Sequence, residues 1–286
     1  MKSTFLTIFL LVIFKLSYSQ QSDISRVNLV PIAINSAYVG SYNQLKVGYY
    51  RSEYLIGSEG SPIHNAINFD LPLLNSNNGL GIYYSNYKVG DINQNFINMG
   101  YSYKFIFKGF KLQLGSGLTY KRYKAEYDNY AVVDSKTLTN GEKDILDRFV
   151  INTGLFLYKD KYYLSVSYND MLLYSSEDEI NYKGRNLNII SGYHFFKGRS
   201  VSICPSFLFK TFNESSKLYG VNLTSTIKNT FWFGLTYDNY EQFNLSLGIN
   251  IWQCYASFRY RDALNDFDDF GRNQIEFSTG FYFNNK

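Results

Sequence analysis

The sequence predicts an all-β protein, a transmembrane antiparallel β-barrel of about 14 strands of the outer-membrane type. Three observations carry this reading. Short segments alternate apolar and polar residues almost throughout, their connections alternate between tight and long, and the glycines inside the segments share one face. Residues two apart lie on the same side of a strand, so alternation marks a sheet with one apolar and one polar side.

Composition removes the competing classes. Of 286 residues 45% are hydrophobic and 19% aromatic, with 28 Tyr and 24 Phe, too many large side chains for a disordered chain. Beyond residue 19 no apolar run approaches the roughly 20 residues of a membrane helix. Two cysteines cannot build a disulfide scaffold, and two histidines leave little for metal or acid–base chemistry. A net charge of +4, weak and scattered, does not suggest nucleic acid, and no cofactor is expected.

The amino terminus reads as a secretory signal peptide over residues 1–19. Lys2 precedes an apolar stretch from Phe5 to Phe14, and Ser17-Tyr18-Ser19 places small residues at a cleavage site near Ser19. No cysteine follows, so a lipid anchor is not expected. Residues 20–44 form a mature amino-terminal segment on the periplasmic side, and residues 45–286 the barrel.

Within that barrel the strands fall near 45–53, 63–71, 79–88, 94–106, 111–127, 146–158, 162–169, 182–196, 200–213, 217–227, 230–238, 242–251, 254–260 and 274–283. Phe243 to Ile251 is the clearest: Phe243, Leu245, Leu247, Ile249 and Ile251 alternate with Asn244, Ser246, Gly248 and Asn250. Lys108-Gly109, Lys159-Asp160-Lys161, Lys197-Gly198-Arg199 and Lys228-Asn229 make tight turns, whereas 54–62, 128–145, 170–181 and 261–273 are longer. Short turns on one rim and long loops on the other fit a barrel with its short turns in the periplasm. An even strand count puts both termini on that rim. A soluble sandwich would also alternate, but here the polar faces carry Gly, Ser, Asn and Thr rather than Lys and Glu. Tyr and Phe also gather toward the strand ends, as in interfacial girdles.

Ten of the 21 glycines read as turn or loop residues, Gly79 among them. Gly48, Gly81, Gly100, Gly115, Gly117, Gly154, Gly192, Gly220, Gly234, Gly248 and Gly280 all take the polar parity of their strands. Glycine in a strand marks a bend or the close approach of another backbone. The plainer reading is relief of curvature. The sharper one is a lumen kept clear for a polypeptide, either residues 20–44 acting as a plug or a segment of a partner.

Candidate chemistry is sparse. His64 opens the second strand and His194 takes the inward parity near the periplasmic rim, with no nucleophile motif or metal spacing beside either. Cys204 points inward and Cys254 outward, which disfavours a disulfide. Glu177-Asp178-Glu179 and the run Asp262, Asp266, Asp268 and Asp269 are acidic loops. They offer oxygen ligands for Ca²⁺ but lack EF-hand spacing. With Phe267 and Phe270 interleaved, residues 261–273 are the better candidate for a protein-contact loop.

Ala33-Ile34-Asn35-Ser36-Ala37-Tyr38-Val39-Gly40-Ser41 resembles the I-N-P-A-Y-A-G-S signature of the PorP/SprF family. These are outer-membrane proteins linked to the type IX secretion and gliding machinery of Bacteroidetes. Arg51 through Gly60-Ser61-Pro62 is similar to that family's R-x-Q-W…G-A-P segment. Leu71-Pro72-Leu73 with Gly79-Leu80-Gly81 matches its next hairpin. Ser36, Tyr54 and Ser61 depart from the pattern. The motif positions are thus Asn35, Ala37, Tyr38, Gly40, Arg51, Gly60 and Pro62. On its own chemistry, Asn35–Gly40 reads as a loop seating the chain against the periplasmic mouth. The resemblance implies a non-enzymatic barrel that anchors or captures an exported surface protein or adhesin, or contacts periplasmic ring subunits. A porin for small solutes and a lipid-modifying enzyme using His64 and His194 are the alternatives.

Overall fold

The computed structural model describes residues 30–54, 60–73, 77–126, 143–176, 184–212, 216–263 and 273–283. Its strands are β1 (Leu45–Tyr54), β2 (Ile63–Pro72), β3 (Asn78–Val89), β4 (Ile92–Phe107), β5 (Phe110–Glu126), β6 (Lys143–Lys159) and β7 (Tyr162–Ser175). They continue with β8 (Asn186–Tyr193), β9 (Val201–Phe212), β10 (Ser216–Ile227), β11 (Phe231–Asp238), β12 (Gln242–Ile251), β13 (Cys254–Ala263) and β14 (Gln274–Phe283). Each strand pairs with its sequence neighbours, and β14 returns antiparallel to β1 with Leu45 opposite Phe283 and Tyr54 opposite Gln274. The sheet therefore closes and leaves no open edge, the condition for strands to cross lipid.

Three of the hairpins on the rim that carries both Leu45 and Phe283 close with two-residue turns. Lys108 and Gly109, at φ 45° and 80°, join β4 to β5 with the signs of a type I′ hairpin. Asp160-Lys161 and Trp252-Gln253 are equally short. The opposite rim carries the connections across 55–62, 127–142, 176–185 and 264–273.

The fourteen segments read from the sequence coincide with the fourteen strands, and the largest difference falls at β7 and β8. A strand ending at Asn169 and a loop over 170–181 are expected, yet β7 carries the Asn169-Asp170 pair within it and continues to Ser175, and β8 begins only at Asn186. The ladder absorbs the pair as a bulge: the β6–β7 register shifts between Ile151 and Thr153, and Asp170 sits at φ 61°.

Polarity is inverted relative to a soluble core. Phe69, Leu80, Ile82, Leu114, Leu118, Val221 and Phe258 are exposed on the outer wall, while Asn68, Ser85, Ser102, Gln113, Ser167 and Asn244 are buried inside. A sandwich would bury the first set, so that alternative falls; an outward apolar band is what lipid requires. Apolar side chains interrupt the polar inner face in places. Ile190, Leu208 and Leu218 are buried inward and pack with Ile34. Gly79, expected in a turn, lies instead inside β3 and faces the lumen, within reach of Val39 and Gly40.

Candidate functional site: the lumen and the segment across it

Residues 30–40 lie inside the barrel and run from wall to wall, and 41–44 lead to β1. Val30 and Ile32, with Val39, pack against Tyr50 of β1, Ala66 of β2 and Tyr83 of β3. Pro31 opens a short 3-10 turn, Pro31–Ala33, at a position where its missing N–H costs nothing. Ile34 then reaches the Ile190, Leu208 and Leu218 patch. A second 3-10 turn, Ser36–Tyr38, crosses in front of β4, β5 and β6 before the chain joins β1.

Asn35 is the pivot. Its Oδ1 accepts from the Ala37 N–H at 2.8 Å, capping the second turn, which is why an asparagine suits this position. Its Nδ2 donates to the Leu155 carbonyl at 3.0 Å, Ser165 Oγ at 2.8 Å and the Val166 carbonyl at 3.2 Å. The wall also holds the segment's carbonyls: Ser167 Oγ and Asn169 Nδ2 donate to Ile34 O at 2.8 and 2.7 Å. Ser102 Oγ donates to Val39 O at 2.6 Å, as does Gln113 Nε2. Gly40 takes φ 70°, a region that favours glycine, and its N–H donates to Asp70 at 2.5 Å. Lys104 Nζ donates to Asn43 Oδ1 at 2.6 Å. Burial of the Tyr38 phenol pushes its pKa up to about 12.

The inward glycines divide into two groups. On β3–β6, a Cβ at Gly79, Gly81, Gly100, Gly115, Gly117 or Gly154 would meet the segment; at Gly79 it would come within 2.6 Å of Val39 O. Elsewhere the glycines make room for the wall's own side chains. Gly192, Gly248 and Gly280 pair directly across the ladder with Tyr163, Trp232 and Tyr255, whose rings lie over them. Gly48 faces Asn68 and Tyr255, Gly220 faces Tyr237 O and Asp238, and Gly234 faces Ser246 Oγ. The expectation that all of them clear space for a polypeptide is thus corrected: about half do, and the rest clear space for rings and polar side chains.

The segment separates two cavities. One of about 300 Å³ lies toward the long-loop rim, floored by Ile32 through Ser36. The other, of about 430 Å³, opens toward the short-turn rim past Pro31, Tyr38 and Tyr42. Among the described residues none lines both. Lys46 reaches into the lower one, with its ammonium 4.7 Å from the Tyr42 ring centroid and 4.8 Å from that of Tyr255.

The motif positions separate. Asn35, Ala37, Tyr38 and Gly40 sit in the lumen, within the barrel wall rather than at its mouth, because the small residues opposite them admit a backbone. Arg51 lies on the outer wall and pairs with Glu53 at 3.3 Å. Gly60 accepts from the Gly90 N–H at 3.1 Å, and the Pro62 carbonyl accepts from Tyr54 at 3.0 Å, both on the long-loop rim. Asp262 is on β13 opposite Phe243. Asp266, Phe267, Asp268, Asp269 and Phe270, with Glu177-Asp178-Glu179 and residues 1–29, lie outside the described residues.

His64 is buried near the long-loop rim against Tyr50, whereas His194 lies at the short-turn rim, 3.8 Å from Cys204 Sγ. At opposite ends of the lumen they do not form one catalytic pair. Burial and the nearby Lys197 charge lower the His194 pKa. Both cysteines are free, and among the described residues no His, Cys, Asp and Glu group could hold a metal ion. Asp70, Ser102 and Gln113, the groups that hold Val39 and Gly40, escaped the sequence reading. Their signal was a carboxylate, a hydroxyl and a carboxamide on the inward parity at the level of the segment's glycines.

The barrel resembles solved structures at low identity. The CymD monoaromatic hydrocarbon channel gives a TM-score of 0.49 at 8% identity, covering 88% of this chain and 92% of that one. BamA from Haemophilus ducreyi lacking POTRA domains 1–3 gives 0.44 at 8%, covering 84% and 70%. A Rhodopseudomonas blastica porin triple mutant gives 0.37 at 9%, covering 84% and 99%. No curated protein matches the sequence. Residues 17–281 match the family described as type IX secretion system membrane protein PorP/SprF, well beyond the first third in which individual motifs are readable.

Proposed function

The chain belongs to the PorP/SprF family of type IX secretion system membrane proteins, and from that premise we propose that it is a non-enzymatic outer-membrane anchor rather than a channel. In this reading the long-loop rim captures an exported surface protein, and the short-turn rim meets periplasmic components of the secretion system. Residues 30–44 act as the plug. The observation that carries it is the segment lying across the lumen, hydrogen-bonded to β4–β7 through Asn35, Ile34 O and Val39 O and packed through Ile34 on β8–β10. An unobstructed passage for solutes would keep its bore clear of bound polypeptide. The same observation speaks against the small-solute porin.

Affinity capture of the intact protein from native membranes, followed by mass spectrometry, tests this. Recovery of exported proteins or of secretion-ring subunits supports the anchor. Recovery of neither, together with steady ion conductance by the purified protein, would overturn it.

A further inference from the structure

We propose that the upper cavity is a socket for a short stretch of polypeptide belonging to the exported protein; this rests on the capture reading and names the site where capture occurs. The cavity of about 300 Å³ is floored by the plug and reaches Tyr87 and Gln94, close to the β3–β4 turn on the long-loop rim. It is at the small end of the range for ligand pockets, roughly 300–1,000 Å³. Being closed below, it suits the end of a chain or a loop tip rather than a solute in transit.

The β6–β7 bulge builds its wall. Asn152 stands where two residues of β7, Asn169 and Asp170, oppose one of β6, and its Oδ1 accepts from the Asp170 N–H at 2.9 Å. Asp170, at φ 61°, directs its carboxylate to Lys121 Nζ at 2.5 Å and accepts from Asn186 Nδ2 at 3.2 Å. A non-glycine residue in this region persists only where its surroundings over-determine it, and bulges re-aim side chains beside sites.

The chemistry of that wall selects the ligand. Just below, carboxamides and hydroxyls already hold a non-sheet backbone, with Asn169 donating to Ile34 O and Ser102 to Val39 O. Asn152, Asn186 and Asn188 continue the same kind of lining upward into the cavity. Asn186 and Asn188 spend their Nδ2 donors on Asp170, Gly184 O, Ser167 and Asn186 Oδ1, so what they offer a peptide group is carboxamide oxygen for its N–H. Lys121 and Asp170 neutralise each other, while Lys210, over the Phe212 ring at 4.4 Å, keeps its charge, so the lining suits a hydrogen-bonding backbone that carries at most a single negative charge, such as a chain end.

The test places the photo-crosslinker benzoylphenylalanine at Gln94 of the full-length protein in native membranes. The expected result is a crosslinked peptide that mass spectrometry assigns to an exported protein. Asn186→Leu should lower its yield roughly tenfold, the worth of a lost buried hydrogen bond. Should that variant fail to fold, the crosslink from the unsubstituted cavity decides alone. A crosslink to this chain's own residues 20–29 or 127–142, to a glycan, or to nothing overturns the socket. If affinity capture still recovers the exported protein in that case, the anchor reading stands and only the socket falls; if capture fails too, both fall.

Discussion

The β3–β6 wall and the β12–β14 wall fill the same lumen in opposite ways. On β3–β6, glycines strip the inner face so that a main chain can lie against it and be held through its carbonyls. On β12–β14 the wall fills the bore itself. Arg259 and Glu276 pair at 3.2 Å with almost no exposure, Gln274 donates to Glu276 at 2.8 Å, and Arg261 donates to Asn244 at 2.7 Å. The second filling is part of the wall and can leave only by unfolding it. The first is a guest whose covalent tie, among the described residues, is the link into β1, so it can be displaced while the barrel remains intact. On the proposed reading, an opening of the lumen would belong to the β3–β6 side.

The largest effect is expected where the wall fills itself. Glu276→Leu strands the Arg259 charge in a buried site and should cost about 3–5 kcal/mol of barrel stability in denaturant titrations of the refolded protein. A negligible loss would mean that this half is wet and loosely packed. Gly154→Leu, by contrast, drives a side chain into the Asn35 carboxamide. It should weaken the seat of the plug by about 1–3 kcal/mol, read as faster proteolysis within residues 30–44 at an unchanged barrel melting temperature. Gly234→Ala, on β11 beside that half, is the control: its Cβ comes closest to Ser246 Oγ, at 2.6 Å, and meets no atom of the segment, so residues 30–44 should stay protected. If the two glycine variants behave alike, the division between the walls is wrong.

Smaller effects separate the contacts of the plug. Asn35→Ala removes the turn cap and both amide donors, shared among three wall acceptors, worth about 1–3 kcal/mol, and should raise proteolysis in the same window. Alkali should act through Tyr38. Its pKa, raised from 10.0 to about 12, exceeds the value in a released segment, so its contribution is complete below pH 10 and lost as pH rises through about 12. Proteolysis of residues 30–44 should therefore rise across that interval, and Tyr38→Phe should flatten the rise.

Much of this was legible in the sequence because strand parity is a local signal. Phe243 to Ile251 declares its two faces without any knowledge of its neighbours, and so do the inward glycines. Which glycine serves which purpose was not legible, since that depends on pairing: Gly248 opposite Trp232 and Gly154 opposite the plug look alike along the chain. In retrospect, cross-strand partnership with an aromatic residue distinguishes Gly192, Gly248 and Gly280. The expected end of the seventh strand at Asn169 fell short because Asp170 suits a loop start as well as a bulge, and only the β6 register tells the two apart. Ile190, Leu208 and Leu218 were visible as apolar residues on a polar face, a local conflict that marked the landing site of Ile34.

Planar-bilayer recordings on the intact protein and on a form lacking residues 30–40 address the plug most directly. With the segment sealing the lumen, the intact barrel should be nearly silent and the truncated one should conduct steadily. Equal, persistent conductance from both would show that the bore is open despite the segment, and the anchor would have to be reconsidered as a pore.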